Sequence, residues 1–155
     1  MPSKSLDDLY PQTRKKFDSL LVACSGRGIQ LRITCTYRSN AEQAELYAKG
    51  RTKPGTIVTK ARPGSSFHNC RRAVDVLILN PSGKVDWEWM DSLACAPLWA
   101  LFGQLARECK LEWGGYWTQI VDKPHVEDRY CAIHDGIFSV QHFDENGGCF
   151  DSIDG

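Results

Sequence analysis

The spacing of apolar residues along the chain predicts three helices. Residues 5–25 repeat apolar side chains at helical spacing, and the serine at the start of this range is a suitable N-cap. Gly26 and Gly28 follow directly and favour the end of the helix. The same reasoning predicts a second helix over residues 39–49 and a third over residues 97–110.

Four shorter segments predict β-strands. Residues 29–37 alternate apolar and polar side chains, as a strand with one buried face does. Residues 73–79 are almost entirely apolar, and a final pair of strands is predicted at 111–113 and 124–127. Between them, residues 51–69 are rich in Gly, Pro, Ser, Thr and Lys without periodicity. They predict a long ordered loop, and loops of this length often carry functional residues.

Length and composition restrict the class of protein. The chain has 155 residues, of which 42% are hydrophobic and 25% charged, which suits one globular domain and leaves no room for a second. No apolar stretch approaches the roughly 20 residues that span a bilayer. The amino-terminal residues contain no apolar run followed by a small-residue cleavage site, so no secretory signal peptide is predicted. Seven cysteines without a C-x-x-C pair favour free thiols.

The zero net charge conceals an uneven distribution. All 19 lysines and arginines lie at or before Arg129, whereas five of the 19 acidic residues lie after it. Residues 1–130 therefore carry a formal charge of +5, and the remaining tail carries −5. A mildly basic body suits an anionic partner such as nucleic acid or bacterial cell wall. No concentrated stripe of Lys and Arg is present, however, and a mixed solvated surface explains the charges equally well.

One acidic residue interrupts the most apolar strand of the sequence. Asp75 stands among alanine, valine, leucine and isoleucine, where a carboxylate is costly to bury unless it is paired or binds a metal. His68 precedes it by seven residues, and His125 follows Asp122 by three. Two imidazoles and one carboxylate form the ligand set of a catalytic zinc that keeps its fourth position open. Hydrogen-bonded surface histidines are the alternative, because this spacing matches no short zinc motif.

Four motifs in order give the sequence a resemblance to a known family. The sequence resembles the VanY-like zinc peptidases of peptidoglycan, which include D-alanyl-D-alanine carboxypeptidases and the L-alanyl-D-glutamate endopeptidases found among phage endolysins. The resemblance covers about residues 28–127 and rests on four segments: Thr36-Tyr37-Arg38-Ser39 continuing to Thr59, Ser66-Phe67-His68 with Ala73-Val74-Asp75, Leu111-Glu112-Trp113-Gly114-Gly115, and Asp122-Lys123-Pro124-His125.

The resemblance implies the roles of five residues. His68, Asp75 and His125 would hold one zinc ion per chain. Asp122 matches the catalytic carboxylate that takes a proton from the zinc-bound water and returns it to the leaving amine. Arg38 matches an arginine beside the scissile carbonyl, where a fixed cation supports the developing oxyanion. A salt bridge or a helix cap is the alternative role for Arg38.

Substrate binding is implied for three further residues, each with a structural alternative. Ser66 would orient substrate or shape the turn before His68. Trp113 would form a wall of the substrate groove or pack in the core. Gln43 lies in the first motif and is assigned to substrate binding by the resemblance. Glu127 shares a strand face with His125, so it would either support the metal ligand or be a solvated edge residue.

The sequence departs from the family pattern near the first histidine. The family usually has glycine three residues after it, and this chain has Arg71 there. If that position requires a positive φ, the arginine is strained by about 1 kcal/mol or more. Cys70 lies two residues after His68 and is a competing zinc ligand only as a thiolate. A closed structural site would not need Asp122, so this carboxylate favours an enzyme over a binding module.

Together these observations predict the fold class and the domain organisation. The fold class is α+β, with a small, mainly antiparallel sheet, helices packed on one side and a zinc site at the open face, similar to Hedgehog and DD-peptidase domains. Residues 1–130 form a single zinc peptidase domain, and residues 131–155 an acidic extension of uncertain order. The tail histidines, His134 and His142, are not expected to be ligands.

The predicted function is hydrolysis of the peptidoglycan stem peptide. The resemblance favours an L-alanyl-D-glutamate endopeptidase of the phage or prophage endolysin type. A D-alanyl-D-alanine carboxypeptidase or dipeptidase and a non-catalytic wall-binding module are the alternatives. The expected partner is the stem peptide, without nucleic acid or stable membrane association, and the chain is expected to be a monomer. It would accumulate in the host cytoplasm before acting on the wall.

Overall fold

The computed structural model describes residues 1–133, 137–143 and 149–151, with side-chain surroundings given for residues 1–129. Within these residues the helices are α1 (Pro11–Gly26), α2 (Asn40–Ala48), α3 (Trp87–Met90) and α4 (Ala96–Glu108). The strands are β1 (Leu31–Cys35), β2 (Ala73–Ile78), β3 (Glu112–Trp113), β4 (His125–Glu127), β5 (Tyr130–Ile133), β6 (Ile137–Phe143) and β7 (Cys149–Asp151). None of the helices described is long and apolar enough to cross a membrane.

An antiparallel sheet of four strands, in the order β1-β2-β4-β3, is the centre of the fold. Successive side chains of β2 point to opposite faces, so Val74, Val76 and Ile78 face one way and Asp75 the other. The three apolar side chains join α1 and α4 in one core cluster, which also contains Phe17. The predicted α+β class with a mainly antiparallel sheet is confirmed.

The first helix begins later than the sequence predicts. Ser5 does act as a cap, but its side chain accepts a hydrogen bond from the Asp7 amide in a short 3₁₀ helix over Leu6–Asp8. The α-helix then starts at Pro11, because proline is favourable in the first turn and has no amide to donate within the helix. The prediction of a single helix over residues 5–25 was therefore wrong at its amino-terminal end.

The amino-terminal strap, residues 3–10, lies against the chain that leaves β1. The Ser3 amide donates to the Tyr37 carbonyl at 2.8 Å, and the Thr36 amide donates to the Ser3 carbonyl at 2.7 Å. The Thr36 hydroxyl donates to the Ser5 carbonyl at 2.8 Å. These bonds satisfy the backbone of residues 36 and 37 beyond the end of the strand.

Arg71 adopts the left-handed conformation that the sequence analysis considered. Its φ is 59°, a region that favours glycine. The side chain makes contacts that offset this strain: Nη1 donates to the Asp8 carbonyl at 3.1 Å, and the guanidinium lies 4.0 Å from the centre of the Tyr37 ring. The Arg71 carbonyl also accepts a bond from the Tyr10 amide at 2.9 Å. Arg71 therefore connects the loop after His68 to the amino-terminal strap.

The tail contains a second antiparallel sheet, in the order β5-β6-β7. The predicted extension over residues 131–155 thus includes strands, although its status as a unit separate from residues 1–130 stays a prediction. His134 lies outside the described residues, and His142 lies in β6. Among the cysteines, the five whose side chains are described are all free thiols, as predicted: Cys24, Cys35, Cys70, Cys95 and Cys109.

We predict that the backbone of Arg71 is strained and that its side chain compensates. Arg71→Ala removes the contacts with Asp8 and Tyr37 but keeps a Cβ at positive φ, whereas Arg71→Gly removes the same contacts and relieves the backbone. The glycine variant should therefore be more stable than the alanine variant by about 1 kcal/mol in urea unfolding. Lys15, exposed in the middle of α1, provides the control. Lys15→Ala should be more stable there than Lys15→Gly, because glycine is unfavourable inside a helix. Equal stability of the two Arg71 variants would contradict the strain.

Candidate active site

Strand register brings three polar side chains into one row across the sheet. Asp75 in β2 lies opposite His125 in β4 and opposite Cys35 in β1. The pairing of β1 with β2 shifts between Ile33 and Cys35, so the extra residue Thr34 forms a bulge there. Bulges of this kind re-aim side chains next to active sites. The bulge places Cys35 beside Asp75 on the face of the sheet opposite to Val74.

His68 reaches this row from the loop before β2, and its ring orientation is fixed by the backbone. Its Nδ1 lies 2.8 Å from the Thr36 carbonyl, which can only accept, so Nδ1 carries a proton. The other ring nitrogen, Nε2, lies 3.1 Å from Asp75 Oδ1. Within the described part of the chain, Nε2 is buried and no hydrogen bond to it is formed. In the neutral ring its lone pair therefore faces a carboxylate oxygen.

His125 approaches the same oxygen from the opposite side. Its Nδ1 lies 2.9 Å from Asp75 Oδ1, and its Nε2 lies 2.8 Å from Glu127 Oε1. Glu127 is only 3% exposed and also accepts from Arg129 Nε at 2.8 Å. Glu127 is therefore not a solvated edge residue, and it makes the contact with His125 that the supporting role requires. A carboxylate behind a histidine in this way orients the ring and raises its basicity as a ligand.

The contacts of Asp75 with each histidine have the spacing of two ligands of one metal ion. Among the described residues, however, the group whose ligand atoms all lie within 4.8 Å of one another is Cys35, His68 and Asp75, and it does not include His125. Four ligands arranged tetrahedrally at 2.0–2.2 Å from zinc are about 3.3 Å apart. The two distances to Asp75 Oδ1 from the nitrogens of His68 and His125 are 3.1 and 2.9 Å, close to that separation. Nδ1 of His68 donates to the Thr36 carbonyl, and Nε2 of His125 donates to Glu127. The lone pairs of the other two ring nitrogens therefore point at the Asp75 carboxylate. Only a cation, either protons on the rings or a metal, stabilises that arrangement.

The electrostatics of the metal-free cluster agree with this requirement for positive charge. Burial by itself lowers the pKa of His68, but Asp75 outweighs it and raises this pKa to about 9. Burial acts in the same direction on His125, whereas its hydrogen bonds with Asp75 and Glu127 raise the pKa to about 10. Burial raises the pKa of Asp75, and the two histidines more than reverse this and hold it well below its usual range.

Cys35 is a further potential ligand, and its sequence context, an apolar face of a predicted strand, gives no sign of this. Its sulfur, one ligand atom of His68 and one of Asp75 all lie within 4.8 Å of one another. The sulfur is 3.5 Å from Nδ1 of His68, the nitrogen that already donates to Thr36, and 3.5 Å from Arg38 Nη2. Cys35 thus lies on the protonated side of the His68 ring, away from the nitrogen that faces Asp75. Cys70, by contrast, is fully buried against Tyr10.

Arg38 is held by a buried amide. Its Nη1 donates to Gln43 Oε1 at 2.9 Å, and its Nη2 lies 3.7 Å from Asp75 Oδ2. Gln43 is fully buried in α2, and its Nε2 donates to the Ala61 carbonyl at 2.8 Å. Ser39 caps α2 through a capping box with Glu42, so the predicted start of this helix is confirmed. The helix cap is thus formed by Ser39, and Arg38 is directed at the cleft.

Asn69 joins the histidine loop to the arginine segment. Its Nδ2 donates to the Arg38 carbonyl at 2.8 Å and to the Ser39 carbonyl at 3.3 Å, while its Oδ1 accepts from the Gly64 and Ser66 amides. The Arg38 amide also donates to the His68 carbonyl at 3.2 Å. Ser66 shapes the turn, because its hydroxyl accepts from the His68 amide at 3.3 Å. Ser66 also lines the cleft, so this turn role does not replace the substrate role expected for it.

Asp122 lies in the same cleft, at the end of a loop that passes close to Gly114. The Asp122 amide donates to the Gly114 carbonyl at 3.0 Å. A Cβ on Gly114 would lie 2.4 Å from the Asp122 carbonyl oxygen, so only glycine permits this approach. Burial raises the pKa of the Asp122 carboxyl, and the charge of His125 opposes the increase. A carboxyl with a raised pKa next to a metal centre suits proton transfer.

The cleft above these residues has a volume of about 780 Å³. Its walls include Arg38, Ser66, Asp122 and Trp117, and the Trp117 ring lies 5.3 Å from the His125 ring. Trp117 Nε1 donates to Glu112 Oε1 at 2.7 Å, which fixes the ring in the wall.

Trp113, expected at the substrate groove, lies instead in the core. It is 6% exposed and stacks on Trp99, with 6.4 Å between ring centres. A Cβ on Gly103 of α4 would lie 2.1 Å from the Trp113 ring, so the helix and the ring fit together only without that atom. The core alternative is therefore the one observed, and the tryptophan in the cleft wall is Trp117, together with Phe67 and Tyr116.

The fold and this site define a sheet-based candidate metal centre at the floor of a peptide-sized cleft. Comparison with known proteins identifies the family. The family model described as "VanY: D-alanyl-D-alanine carboxypeptidase" matches residues 7–112. The chain belongs to the VanY family.

One curated relative and several solved structures extend the comparison. The chain is 38% identical over 122 residues to the peptidoglycan L-alanyl-D-glutamate endopeptidase CwlK of Bacillus subtilis (strain 168), covering 77% of this chain and 73% of that protein. The L-Ala D-Glu endopeptidase ChiX of Serratia marcescens is similar in structure, with a TM-score of 0.55, 23% identity and coverage of 82% and 87%.

A zinc-containing structure is also similar. The vancomycin-resistance D,D-pentapeptidase VanY, as a mutant in complex with Zn(II), matches with a TM-score of 0.55, 14% identity and coverage of 77% of this chain and 72% of that one. At this identity the likeness concerns the fold alone. The predicted fold resemblance is confirmed.

We predict that Glu127 sets the metal affinity of the site through His125. Glu127→Gln keeps an acceptor for Nε2 but removes the negative charge, and Glu127→Ala removes both. Zinc affinity, measured by competition with a chromophoric chelator, should fall roughly tenfold in the first variant and up to about 100-fold in the second. Glu45→Gln, which removes an exposed carboxylate paired with Lys53, is the matched control and should bind as the wild type does. Unchanged affinity in both Glu127 variants would refute this role.

Proposed function

We propose that the chain is a zinc-dependent peptidase that hydrolyses the stem peptide of bacterial peptidoglycan at the L-alanyl-D-glutamyl bond. A metal-dependent hydrolase is supported by the contacts of Asp75 with His68 and His125 in the wall of a cleft; binding of one ion by all three would draw the two rings closer together than they lie here. The choice of bond is supported by the 38% identity to CwlK over most of both chains. The name of the matching family model favours D-alanyl-D-alanine carboxypeptidase activity as the second candidate.

The proposed metal site uses the three predicted ligands. Zinc held by His68, Asp75 and His125 would supply Lewis-acid activation of water and of the scissile carbonyl. Two features of the chain prepare these residues for that ion: the Thr36 carbonyl fixes His68, and the Glu127 carboxylate fixes His125. Cys35 stays outside this ligand set because it lies beside the protonated nitrogen of His68.

Two further side chains carry the proposed proton transfer and charge stabilisation. Asp122 accepts a proton from the attacking water and delivers it to the leaving amine; burial raises the pKa of its carboxyl, which favours its taking up a proton. Arg38, fixed by Gln43, directs its guanidinium into the cleft, where it stabilises the negative charge that develops on the carbonyl oxygen. In this assignment Gln43 acts on substrate through Arg38, since its own side chain is fully buried.

The proposed substrate-binding roles depend on where each side chain lies relative to the cleft. Ser66 lies in its wall and is proposed to orient the peptide. Trp113 is proposed to act indirectly, because its ring lies against Gly115 and its Nε1 donates to the Lys123 carbonyl, next to Asp122, at 2.6 Å. The lytic role in a host cell, the monomeric state and the localisation stay predictions from the sequence.

The decisive experiment is mass spectrometry of the fragments that the protein releases from purified Gram-negative peptidoglycan, with a chelator-treated sample alongside. The expected products carry a new amino terminus on D-glutamate, and they should disappear with chelator and return when zinc is added. Loss of terminal D-alanine alone would assign the carboxypeptidase activity instead. Absence of any cleavage with zinc present would refute the peptidase proposal in favour of a wall-binding module.

We predict that Asp122→Asn separates catalysis from metal binding. The amide cannot accept and return a proton, so turnover should fall by at least about 100-fold, the typical contribution of general acid–base catalysis. Zinc affinity and the thermal unfolding midpoint should stay at their wild-type values, since Asp122 is not among the proposed ligands. Asp91→Asn, a change outside the cleft, serves as the control. Loss of zinc binding in Asp122→Asn would show that the assigned role is wrong.

A further inference from the structure

We propose that Lys60 binds the free carboxylate of the glutamyl residue at the cleaved bond and so helps select that bond. This inference rests on the proposed function and adds a specificity-determining residue to it. Lys60 belongs to the long loop of residues 51–69, lies at the surface and lines the cleft that contains Asp75 and Asp122. Its Nζ donates to Gln119 Oε1 at 2.8 Å.

The chemistry of the substrate requires a cation near the reacting amide. A glutamyl residue has two carboxyl groups, and the peptide chain continues through only one of them. The other stays a free carboxylate a few bonds from the nitrogen of the cleaved amide. Glu112 and Glu127 in the cleft are paired with Arg129, and Asp75 is paired with two histidines, whereas Asp122 lines the same cleft and repels another negative charge. A positive side chain in the wall would make this carboxylate a favoured feature of the substrate.

The cations in the cleft differ in their partners. Arg129 Nε lies 2.8 Å from Glu127 and 3.0 Å from Glu112, so its charge is already balanced by two carboxylates. Arg38 lies 3.7 Å from Asp75 and is bonded to Gln43. For Lys60 the hydrogen-bond partner found among the described residues is the neutral amide of Gln119. Its positive charge is therefore available to an anion in the cleft.

The position of Lys60 also suits recognition of a bound peptide. Gln119 belongs to the segment between Trp117 and Asp122, whereas Lys60 belongs to the loop before His68, so their hydrogen bond joins two walls of the cleft. An ammonium group has three donors, and the bond to Gln119 uses one of them. Gln119 thus holds the ammonium at the mouth of the cleft while two donors remain for a carboxylate.

The test compares two synthetic stem peptides that contain the L-alanyl-D-glutamyl bond. In one the second carboxyl of the glutamyl residue is free, and in the other it is a carboxamide; both have amidated carboxyl termini, so they differ in one charge. Cleavage of each is measured with the zinc-loaded full chain for the wild type, Lys60→Met and Lys60→Arg. Lys53→Met, in the same loop but paired with Glu45, is the matched control.

The wild type should prefer the carboxylate peptide by roughly tenfold in kcat/KM, as expected for a charge-assisted hydrogen bond at an exposed site. Lys60→Met should lose that preference by slower cleavage of the carboxylate peptide alone, Lys60→Arg should retain it, and Lys53→Met should behave as the wild type. The wild-type preference should shrink as salt increases.

Two results would overturn the inference while leaving the peptidase proposal intact: equal cleavage of both peptides by the wild type, or an undiminished preference in Lys60→Met. Cleavage of neither peptide by the zinc-loaded wild type would instead refute the proposed bond specificity itself. The two failures are therefore distinguishable in one set of measurements.

Discussion

The carboxylate of Asp75, in the middle of an apolar strand, is the constraint on which the rest of the site depends. Transfer of an ion from water to a protein interior costs several kcal/mol even after relaxation. The chain offsets this cost with His68 and His125 on either side and Arg38 at 3.7 Å. Each of these partners is fixed in turn by a buried group. The partners therefore act together, and removal of any one of them leaves the half-buried charge of Asp75 less well compensated.

The sequence predicts those parts of the structure that follow from local chemistry. Asp75 is conspicuous because its neighbours in the strand are apolar, and Arg71 because the resemblance implies glycine at that position. The start of α2 follows from Ser39 and Glu42, which form a capping box. The residues of the core could likewise be predicted, because apolar side chains recur at helical spacing in α1 and α4.

The parts that depend on tertiary contacts could not be predicted. The bulge that aligns Cys35 with Asp75 arises from pairing between two strands about 40 residues apart in the chain. Asn69 has no distinctive sequence context, and its four hydrogen bonds exist only when two loops meet. Trp113 and Trp117 are both aromatic residues near a glycine pair. Only the packing of Trp113 against Gly103 decides which of them lies in the core.

Two carboxylates in the same cleft are given different protonation behaviour by their surroundings. Asp75 Oδ1 lies 3.1 Å from His68 and 2.9 Å from His125, and the two histidines hold the pKa of Asp75 well below the usual range, which suits the metal-ligand role proposed for it. Burial dominates at Asp122 and raises its pKa, which suits the proton transfer proposed for it. Divergent environments for neighbouring acids are a general way of assigning separate roles to chemically identical side chains.

The amino-terminal strap has a consequence for how the candidate metal centre is maintained. Ser3 bonds to the backbone on both sides of the Thr36–Tyr37 peptide, and the Thr36 carbonyl holds the ring of His68. Arg71 secures the far end of the strap from the loop that carries this histidine. Detachment of the strap would thus free the ring of the proposed ligand His68 to reorient. The Thr36 amide donates to the strap, so its rate of hydrogen exchange reports whether the strap is bound. Because the carbonyl of the same residue orients the His68 ring, binding of the strap and orientation of that ring form one cooperative unit.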